Sequence, residues 1–168
     1  MAKIYDFELK GVKPVNEHGF IANLYYNNKK IGSYIDKNDE VFPTINFEEK
    51  LSKDNISQLL NEIKFFYQKY PKEMISNTDE YLIIEFIEEL YRLRELETIF
   101  KKVNKKEDTL LIELRFSKRT SYISDYQKED ICISTTRWDE EFKTKLFEKY
   151  KPAEYTIYKS IDDFNIIK

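Results

Sequence analysis

The sequence contains very few of the residues that usually build catalytic, metal and phosphate sites. Its 168 residues include one Cys, one His and three Gly. A single Cys excludes an intrachain disulfide, and one Cys with one His cannot form a zinc site of Cys and His ligands. The three Gly lie apart, at positions 11, 19 and 32, which excludes a glycine-rich phosphate loop or a dinucleotide fingerprint. We therefore predict no metal and no cofactor.

Long apolar runs are also absent. No run approaches the ~20 residues that a membrane-spanning helix needs, and the first residues, MAKIYDFELK, lack the pattern of a signal peptide. Together with the single Cys, these features predict a cytoplasmic protein that does not contact a membrane. The net charge of −3 argues mildly against general nucleic-acid binding, which usually needs a basic surface.

Aromatic residues, by contrast, are abundant, with 13 Tyr and 12 Phe. Aromatic rings favour strands and bury large areas, so they indicate a core that contains β-structure, with Tyr at its rim. They are also enriched in protein interfaces. With 41% hydrophobic and 35% charged residues, the chain has a globular composition. We predict a single α+β domain over residues 1–168.

Alternating residues predict the N-terminal strands. Residues 3–12 read as one strand with Tyr5, Phe7 and Leu9 facing inward. Residues 20–35 read as a hairpin with a two-residue type I′ turn at Asn27-Asn28, which places Tyr26 opposite Lys29. In this register one face forms the core, with Phe20, Ala22, Leu24, Ile31 and Ile35. The other face is wetter and carries Ile21, Asn23, Tyr25, Lys30 and Tyr34.

Helical periodicity predicts three helices, at about 54–70, 78–103 and 138–150. Asp54 is the expected N-cap of the first helix and Pro71 its stop. Asn77 and Glu80 form an expected capping box for the second, and Thr136 and Asp139 are expected to cap the third. Further strands are expected at 109–117, 131–134 and 154–159, before a tail. This order predicts an α+β fold in which an antiparallel sheet, built from the N-terminal meander and the later hairpin, packs against two or three helices on one face.

The sequence contains two candidate catalytic groups and one candidate calcium loop, and each has a simpler structural explanation. His18 and Cys132 would have to meet across the fold to form a nucleophilic pair. The acidic loop at 36–40 lacks the central Gly of a calcium loop. Asp108, Glu113 and Arg115 have spacing loosely suited to a magnesium-dependent nuclease, but Glu113 and Arg115 share a strand face, and a surface ion pair explains them. We predict that the protein is not an enzyme.

Two groups of charged residues offer alternatives. The first is a basic group that includes Tyr side chains, which could bind a single nucleic-acid strand through charge and through stacking of its bases. A helix C-terminus followed by a solvated turn would have the same composition, so this simpler interpretation stays open. The members of the basic group are Lys101, Lys102, Lys105, Lys106, Lys118, Arg119, Tyr122 and Tyr126. An acidic helix face is either solvated or meets a basic partner. It comprises Glu85, Glu88, Glu89, Glu95 and Glu97.

The hairpin GFIANLYYNNKKIGSYIDKNDEV resembles a class of small phage and prophage proteins of unknown function. In that class an early strand pair carries a turn like Y-x-D-G-K-K-I-G, followed by N-D-G-x-G-G, one or two long helices, a β pair, a short helix and a terminal strand. Here Asn28 stands where the turn Gly would be, and the later glycines are missing. The resemblance implies an accessory gene of a mobile element in a bacterial cytoplasm. It supplies no catalytic residues.

These observations favour a non-enzymatic protein that binds a host protein, a defence protein or a toxin and inhibits it by surface contact. An immunity protein that neutralises a toxin fits the same description. The residues expected to contact the partner are Tyr25, Tyr34, Asp36, Asp39, Glu40, Tyr122 and Tyr126. A protein that binds single-stranded nucleic acid through the basic group is the alternative, and a magnesium-dependent nuclease ranks third.

Overall fold

The computed structural model describes residues 1–16, 19–37, 42–70, 78–104, 110–114, 131–135, 139–149 and 155–168. These residues form helices and mostly antiparallel strands, which confirms the α+β class. They divide into two compact units. Unit 1 comprises Met1–Glu95 and Asn165–Lys168, and unit 2 comprises Leu96–Phe164. The single domain over 1–168 stays a prediction.

The strands form one six-stranded and one three-stranded sheet. The strands are β1 Lys3–Ile4, β2 Phe7–Pro14, β3 Phe20–Tyr26, β4 Lys29–Ile35, β5 Thr44–Phe47, β6 Leu110–Leu114, β7 Ile131–Thr135, β8 Tyr155–Tyr158 and β9 Asn165–Ile166. The large sheet has the order β5-β4-β3-β2-β1-β9, and the small sheet has the order β7-β6-β8. The later hairpin therefore builds its own sheet and does not extend the N-terminal one. Within the predicted tail, β9 pairs with β1 in parallel.

The first strand is shorter than its alternation predicts. The chain turns at Tyr5 and Asp6, so that Ile4 pairs with Phe7 in a tight antiparallel hairpin. Tyr5 takes a positive φ of 54° to make this turn. The prediction of one continuous strand over 3–12 is therefore wrong. Ile4 and Glu8, which alternation placed on the solvent side, are both buried.

The predicted type I′ turn is confirmed. Asn27 and Asn28 have φ values of 50° and 61°, and Tyr26 pairs with Lys29. Positive φ at both central positions is the signature of this turn, and Asn tolerates it well because its short side chain can bond to the local backbone.

Beyond the turn, the predicted register is wrong because β4 contains a bulge. Leu24 pairs with Gly32, so Ile31 is an extra residue without a partner on β3. An inserted residue reverses the alternation of every side chain that follows it. Tyr34, predicted on the wet face, is therefore buried, and Ile35, predicted in the core, is only half-buried.

Helix α1 spans Lys53–Lys69, close to its predicted range, but its N-cap is Ser52 and not Asp54. The Ser52 hydroxyl accepts a hydrogen bond from the Asn55 backbone N–H at 3.2 Å. The Asn55 side-chain oxygen accepts one from the Ser52 N–H at 3.3 Å. This reciprocal capping box satisfies two donors that the first turn would otherwise leave unpaired.

The other two helices also match their predicted ranges to within two residues. Helix α2 spans Asp79–Val103 and helix α3 spans Glu140–Lys149. The carboxylate of Asp139 accepts a hydrogen bond from the Phe142 N–H at 2.8 Å, which confirms it as a cap. The other predicted end signals, Pro71, Asn77 and Thr136, lie outside the described residues.

In unit 1, α1 and the first four turns of α2 cover one face of the large sheet. Phe86 of α2 contacts Phe7 of β2 at 5.0 Å and Phe66 of α1 at 5.5 Å between ring centroids. Tyr91 stacks on Phe20 at 4.0 Å. Phe7, Phe66 and Phe86 form one connected group of rings, and Phe20 and Tyr91 form a second group with Tyr34. On the opposite face of the sheet, Tyr25 is half-buried, Ile21 is exposed and Glu8 is buried.

In unit 2, the small sheet is covered on both faces. Ile112 of the central strand β6 packs with Leu146 of α3 on one face. On the other face, Tyr158 of β8 stacks on Phe164 at 4.4 Å, and Phe164 contacts Phe100 of α2 at 5.4 Å. Phe164 belongs to a short 3-10 helix, Ile161–Phe164, which the sequence did not predict.

Candidate functional site

Exposed aromatic side chains cluster at the C-terminal end of α1. Phe65 and Tyr70 retain 48% and 42% of their accessible surface. Phe65 lies on the outer side of the helix because Ile63, Phe66 and Tyr67 are the residues that face the sheet. Tyr70 is held at the helix end, where its N–H donates to the Phe66 carbonyl at 2.8 Å. We name Phe65, Lys69, Tyr70 and Lys168 the α1 patch.

Buried rings support the exposed ones. Tyr5 is buried, and the centroid of its ring lies 6.2 Å from that of Phe65 and 5.9 Å from that of Phe66. Phe66, also buried, contacts Tyr70 at 5.1 Å. The positive φ of Tyr5 belongs to the turn that brings its ring to α1. The exposed rings are therefore held in position before any partner arrives, which lowers the entropic cost of binding.

Charged side chains surround these rings. Lys168 donates a hydrogen bond to Glu62 of α1, and its Nζ lies 5.9 Å from the centre of the Tyr5 ring. Lys69 Nζ lies 5.8 Å from the centre of the Tyr70 ring. The hydrogen bond to Glu62 raises the pKa of the Lys168 ammonium above its usual value. Burial, with a smaller effect of Tyr70, raises the pKa of Tyr5, so that its hydroxyl stays neutral. Apolar surface with a polar rim is typical of interaction sites.

The structure places the predicted contact residues differently. Tyr25 is half-buried on the sheet face opposite α1 and α2, where Lys10 Nζ lies 4.5 Å from the centre of its ring. Asp36 is half-buried just after β4. The other predicted contacts lie outside the described residues. They are Asp39, Glu40, Tyr122 and Tyr126.

Tyr34 is not a contact residue, because the bulge at Ile31 turns its side chain into the core. The side chain is fully buried, and its ring lies 4.8 Å from that of Phe20. Burial raises the pKa of Tyr34 above its usual value, and the negative charges of Glu88 and Asp36 raise it further. The prediction of an exposed Tyr34 is therefore wrong.

Only two members of the predicted basic group are described. Lys101 bonds to the carboxylate of buried Glu97 at 2.7 Å, so its charge is compensated. Together with Phe100, Asn104 and Ile161 it lines a shallow, open depression. Lys102 is exposed. The remaining basic members are Lys105, Lys106, Lys118 and Arg119, and they lie outside the described residues.

The predicted acidic face of α2 is not a uniform surface. Glu88 and Glu95 are exposed, whereas Glu89 and Glu97 are buried and Glu85 is half-buried. Arg92 of the same helix bonds to both oxygens of Glu89, at 2.5 and 3.2 Å. Glu89 and Glu97 therefore belong to ion pairs within the helix, Glu97 with Lys101.

Glu113 is not a surface residue, in contrast to the predicted ion pair with Arg115. Its side chain is fully buried in β6, where it accepts a hydrogen bond from the Tyr158 hydroxyl at 3.0 Å. Asp108, Arg115, His18 and the Cys132 side chain lie outside the described residues. Within the described ranges, no three His, Cys, Asp or Glu side chains lie close enough to hold a metal ion.

Sequence reasoning missed the α1 patch. In the sequence, Tyr70 continues the helical spacing of the apolar residues Ile63, Phe66 and Tyr67, which predicts that it is buried, and Phe65 stands off that stripe. Phe65 is a large apolar residue on the polar side of an amphipathic helix, and this position indicates an exposed apolar surface.

Comparisons with known proteins do not identify the chain: no family model, no curated protein and no solved structure matches it. None of the helices in the described part of the chain is both long and apolar enough to cross a bilayer.

Proposed function

We propose that the protein is a non-enzymatic binding protein that attaches to another protein through the α1 patch and blocks it by covering its surface. The observation that carries this proposal is the pair of half-exposed rings, Phe65 and Tyr70, braced by buried Tyr5 and Phe66. Rings fixed by packing and rimmed by Lys69 and Lys168 are suited to fill pockets on a partner.

The exposed area is large enough to contribute substantially to binding. An aromatic side chain presents roughly 150–250 Å² when fully accessible. Burying the exposed half of each ring removes on the order of 100 Å² from water, which contributes about 2 kcal/mol per ring. Two such anchors match the typical pattern, in which a few aromatic residues supply most of the binding energy.

The biological setting is also part of the proposal. The partner is a host protein, a defence protein or a toxin, and the gene belongs to a phage or another mobile element. The resemblance of the N-terminal hairpin to phage and prophage proteins supports this setting. The single Cys suits the reducing cytoplasm of a bacterial host.

Affinity capture from a nuclease-treated extract of the source bacterium tests the proposal. The bait is the full chain as wild type, as the double variant Phe65→Ser/Tyr70→Ser, or as the control Phe147→Ser. Phe147 is a suitable control because it is 52% exposed and packs on Tyr155 at 5.9 Å, so it resembles Phe65 but lies in unit 2. Circular dichroism and thermal melts check that each bait is folded.

We expect wild type and Phe147→Ser to retain one protein in stoichiometric amount. The double variant should lose at least about 30-fold in affinity, because 30-fold corresponds to about 2 kcal/mol, the contribution of one ring, and the variant removes two. Equal capture by the folded double variant would exclude the α1 patch as the binding surface. Absence of any stoichiometric partner with wild type would contradict the proposed function itself.

A further inference from the structure

Strand β5 forms one edge of the large sheet, and no described strand pairs with its outer side. Its inner side pairs with β4, with Asn46 opposite Ser33 and Thr44 opposite Ile35. The Glu48 N–H donates to the Ile31 carbonyl at 2.9 Å in the same register. Because hydrogen-bonded pairs alternate along an antiparallel ladder, Thr44 and Asn46 bond to β4. The backbone N–H and C=O groups of Ile45 and Phe47 therefore point away from the sheet.

This edge is short, with four residues, and Pro43 precedes it, but within the strand itself it carries no guarding residue. Natural edge strands are commonly guarded by a charged side chain, a proline or a bulge. The sequence of β5 is Thr-Ile-Asn-Phe, without charge or proline, and its register with β4 is unbroken. Such an edge is suited to accept an added strand.

An exposed aromatic pair lies at the start of the edge. Phe42, two residues before β5, is 69% exposed. Its ring meets that of Tyr81 of α2 edge to face at 5.5 Å, and Tyr81 is itself 39% exposed. An apolar side chain of an added strand can pack on this pair, which gives the edge a preference for particular residues beyond backbone pairing.

The charge around the edge is negative. Among the described residues that flank the strand, Asp36, Glu48 and Glu49 carry carboxylates, and Lys37 and Lys50 carry ammonium groups. Asp79 and Glu80, next to Tyr81, are exposed, and together they add two more carboxylates. Lys30 and Lys64 offset two of these charges through ion pairs with Glu48 and Asp79 at 2.8 Å. A net negative surround favours a cationic strand over an anionic one.

We propose that the β5 edge binds an extended basic segment of a partner protein, which adds a further strand to the sheet. Backbone groups of the segment pair with Ile45 and Phe47, its apolar side chains pack on Phe42 and Tyr81, and its basic side chains face the surrounding carboxylates. This site is independent of the α1 patch, so each proposal can fail without the other.

Synthetic peptides of defined chemistry test the inference. The probe is a capped octapeptide of alternating Lys and Val, labelled for fluorescence anisotropy. A Glu–Val peptide tests charge, and a Lys–Pro peptide keeps the charge but cannot pair as a strand. We expect the Lys–Val peptide to bind the full chain at least about tenfold more tightly than either control.

Substitutions at one position separate the backbone contribution from the side-chain contribution. Ile45→Pro removes an outward N–H without removing a bond to β4, whereas Ile45→Ala keeps this N–H and shortens the side chain. We expect Ile45→Pro to weaken Lys–Val binding at least about tenfold and Ile45→Ala to weaken it less than about threefold. Hydrogen exchange of wild type provides a second measurement, in which the peptide should slow exchange at Ile45 and Phe47.

Three results would overturn the inference. Equal binding of the Lys–Pro peptide would show that charge alone attracts the probe. Unchanged exchange at Ile45 and Phe47 in the presence of saturating peptide would exclude strand addition, even if Ile45→Pro fails to fold. Sedimentation of wild type as a dimer that Ile45→Pro dissociates would show that a second copy of the chain occupies the edge.

Discussion

At the scale of single residues, Tyr34 combines a favourable ring with an unfavourable hydroxyl. The ring is fully buried and contacts Phe20. The hydroxyl is also buried, and among the described residues it has no hydrogen-bond partner. Leaving a buried polar group unsatisfied costs about 1–3 kcal/mol, so this hydroxyl opposes the stabilisation that the ring provides.

Tyr34→Phe should therefore be neutral or stabilising at pH 7, by up to about 1 kcal/mol, because it removes the hydroxyl and keeps the ring. The measurement is the free energy of unfolding from urea titration. A loss of more than about 1 kcal/mol would show that the hydroxyl makes a stabilising hydrogen bond.

The same residue should make the protein sensitive to alkali. Burial, with Glu88 and Asp36, raises the pKa of folded Tyr34, whereas an unfolded Tyr has a pKa near 10. Below about pH 10 the hydroxyl is neutral in both states, and the free energy of unfolding does not depend on its titration. Above pH 10 the hydroxyl ionises only in the unfolded chain, so the free energy of unfolding falls by about 1.4 kcal/mol per pH unit. Between pH 10 and 12, wild type should lose stability more steeply than Tyr34→Phe. Identical slopes would contradict the assignment.

At the scale of elements, the bulge in β4 determines which side chains reach the core. Ile31 is the inserted residue, and Gly32 follows it at a point where β4 and β5 approach closely. A Cβ at position 32 would lie 2.7 Å from the Asn46 backbone oxygen. Because this neighbour is backbone, it cannot rotate away as a side chain does.

Gly32→Ala should lower the free energy of unfolding by about 1–3 kcal/mol, since the added methyl group overpacks against Asn46. Urea titration measures the loss, and Ser33→Ala, the next residue, is the control that adds no atom. Hydrogen exchange of Ile45 should be faster in Gly32→Ala if β5 is the element that moves. Equal stability of the two variants would mean that β5 does not approach β4 as closely as described.

The elements differ in how far local sequence predicts them. Helices α1, α2 and α3 could be predicted to within two residues, because periodicity and caps such as Asp139 are local signals. The bulge at Ile31 could not be predicted, because a two-residue turn is compatible with a regular ladder and no local residue type marks Ile31 as the extra residue. That one residue moved Tyr34 from a predicted contact surface into the core.

At the scale of the whole molecule, the features that local sequence does not predict are contacts between segments that lie far apart in the chain. Strand β9 has two residues and pairs with β1 at the opposite end of the chain, so no local pattern reveals it. Its neighbour Lys168 reaches Glu62 of α1 and completes the rim of the α1 patch. The sequence gives only a weak indication that Phe65 and Tyr70 are exposed. The contact of the Tyr5 ring with α1 depends on the turn at Tyr5 and Asp6, which the alternating pattern predicted as a continuous strand.

The most direct test of the central claim is hydroxyl-radical footprinting of the protein alone and in complex with its captured partner. If the α1 patch is the binding surface, the oxidation rates of Phe65 and Tyr70 should fall severalfold in the complex. The rate of Phe147, exposed to a similar extent but in unit 2, should stay within about twofold. Unchanged rates at Phe65 and Tyr70 in a stable complex, with protection elsewhere, would contradict the claim.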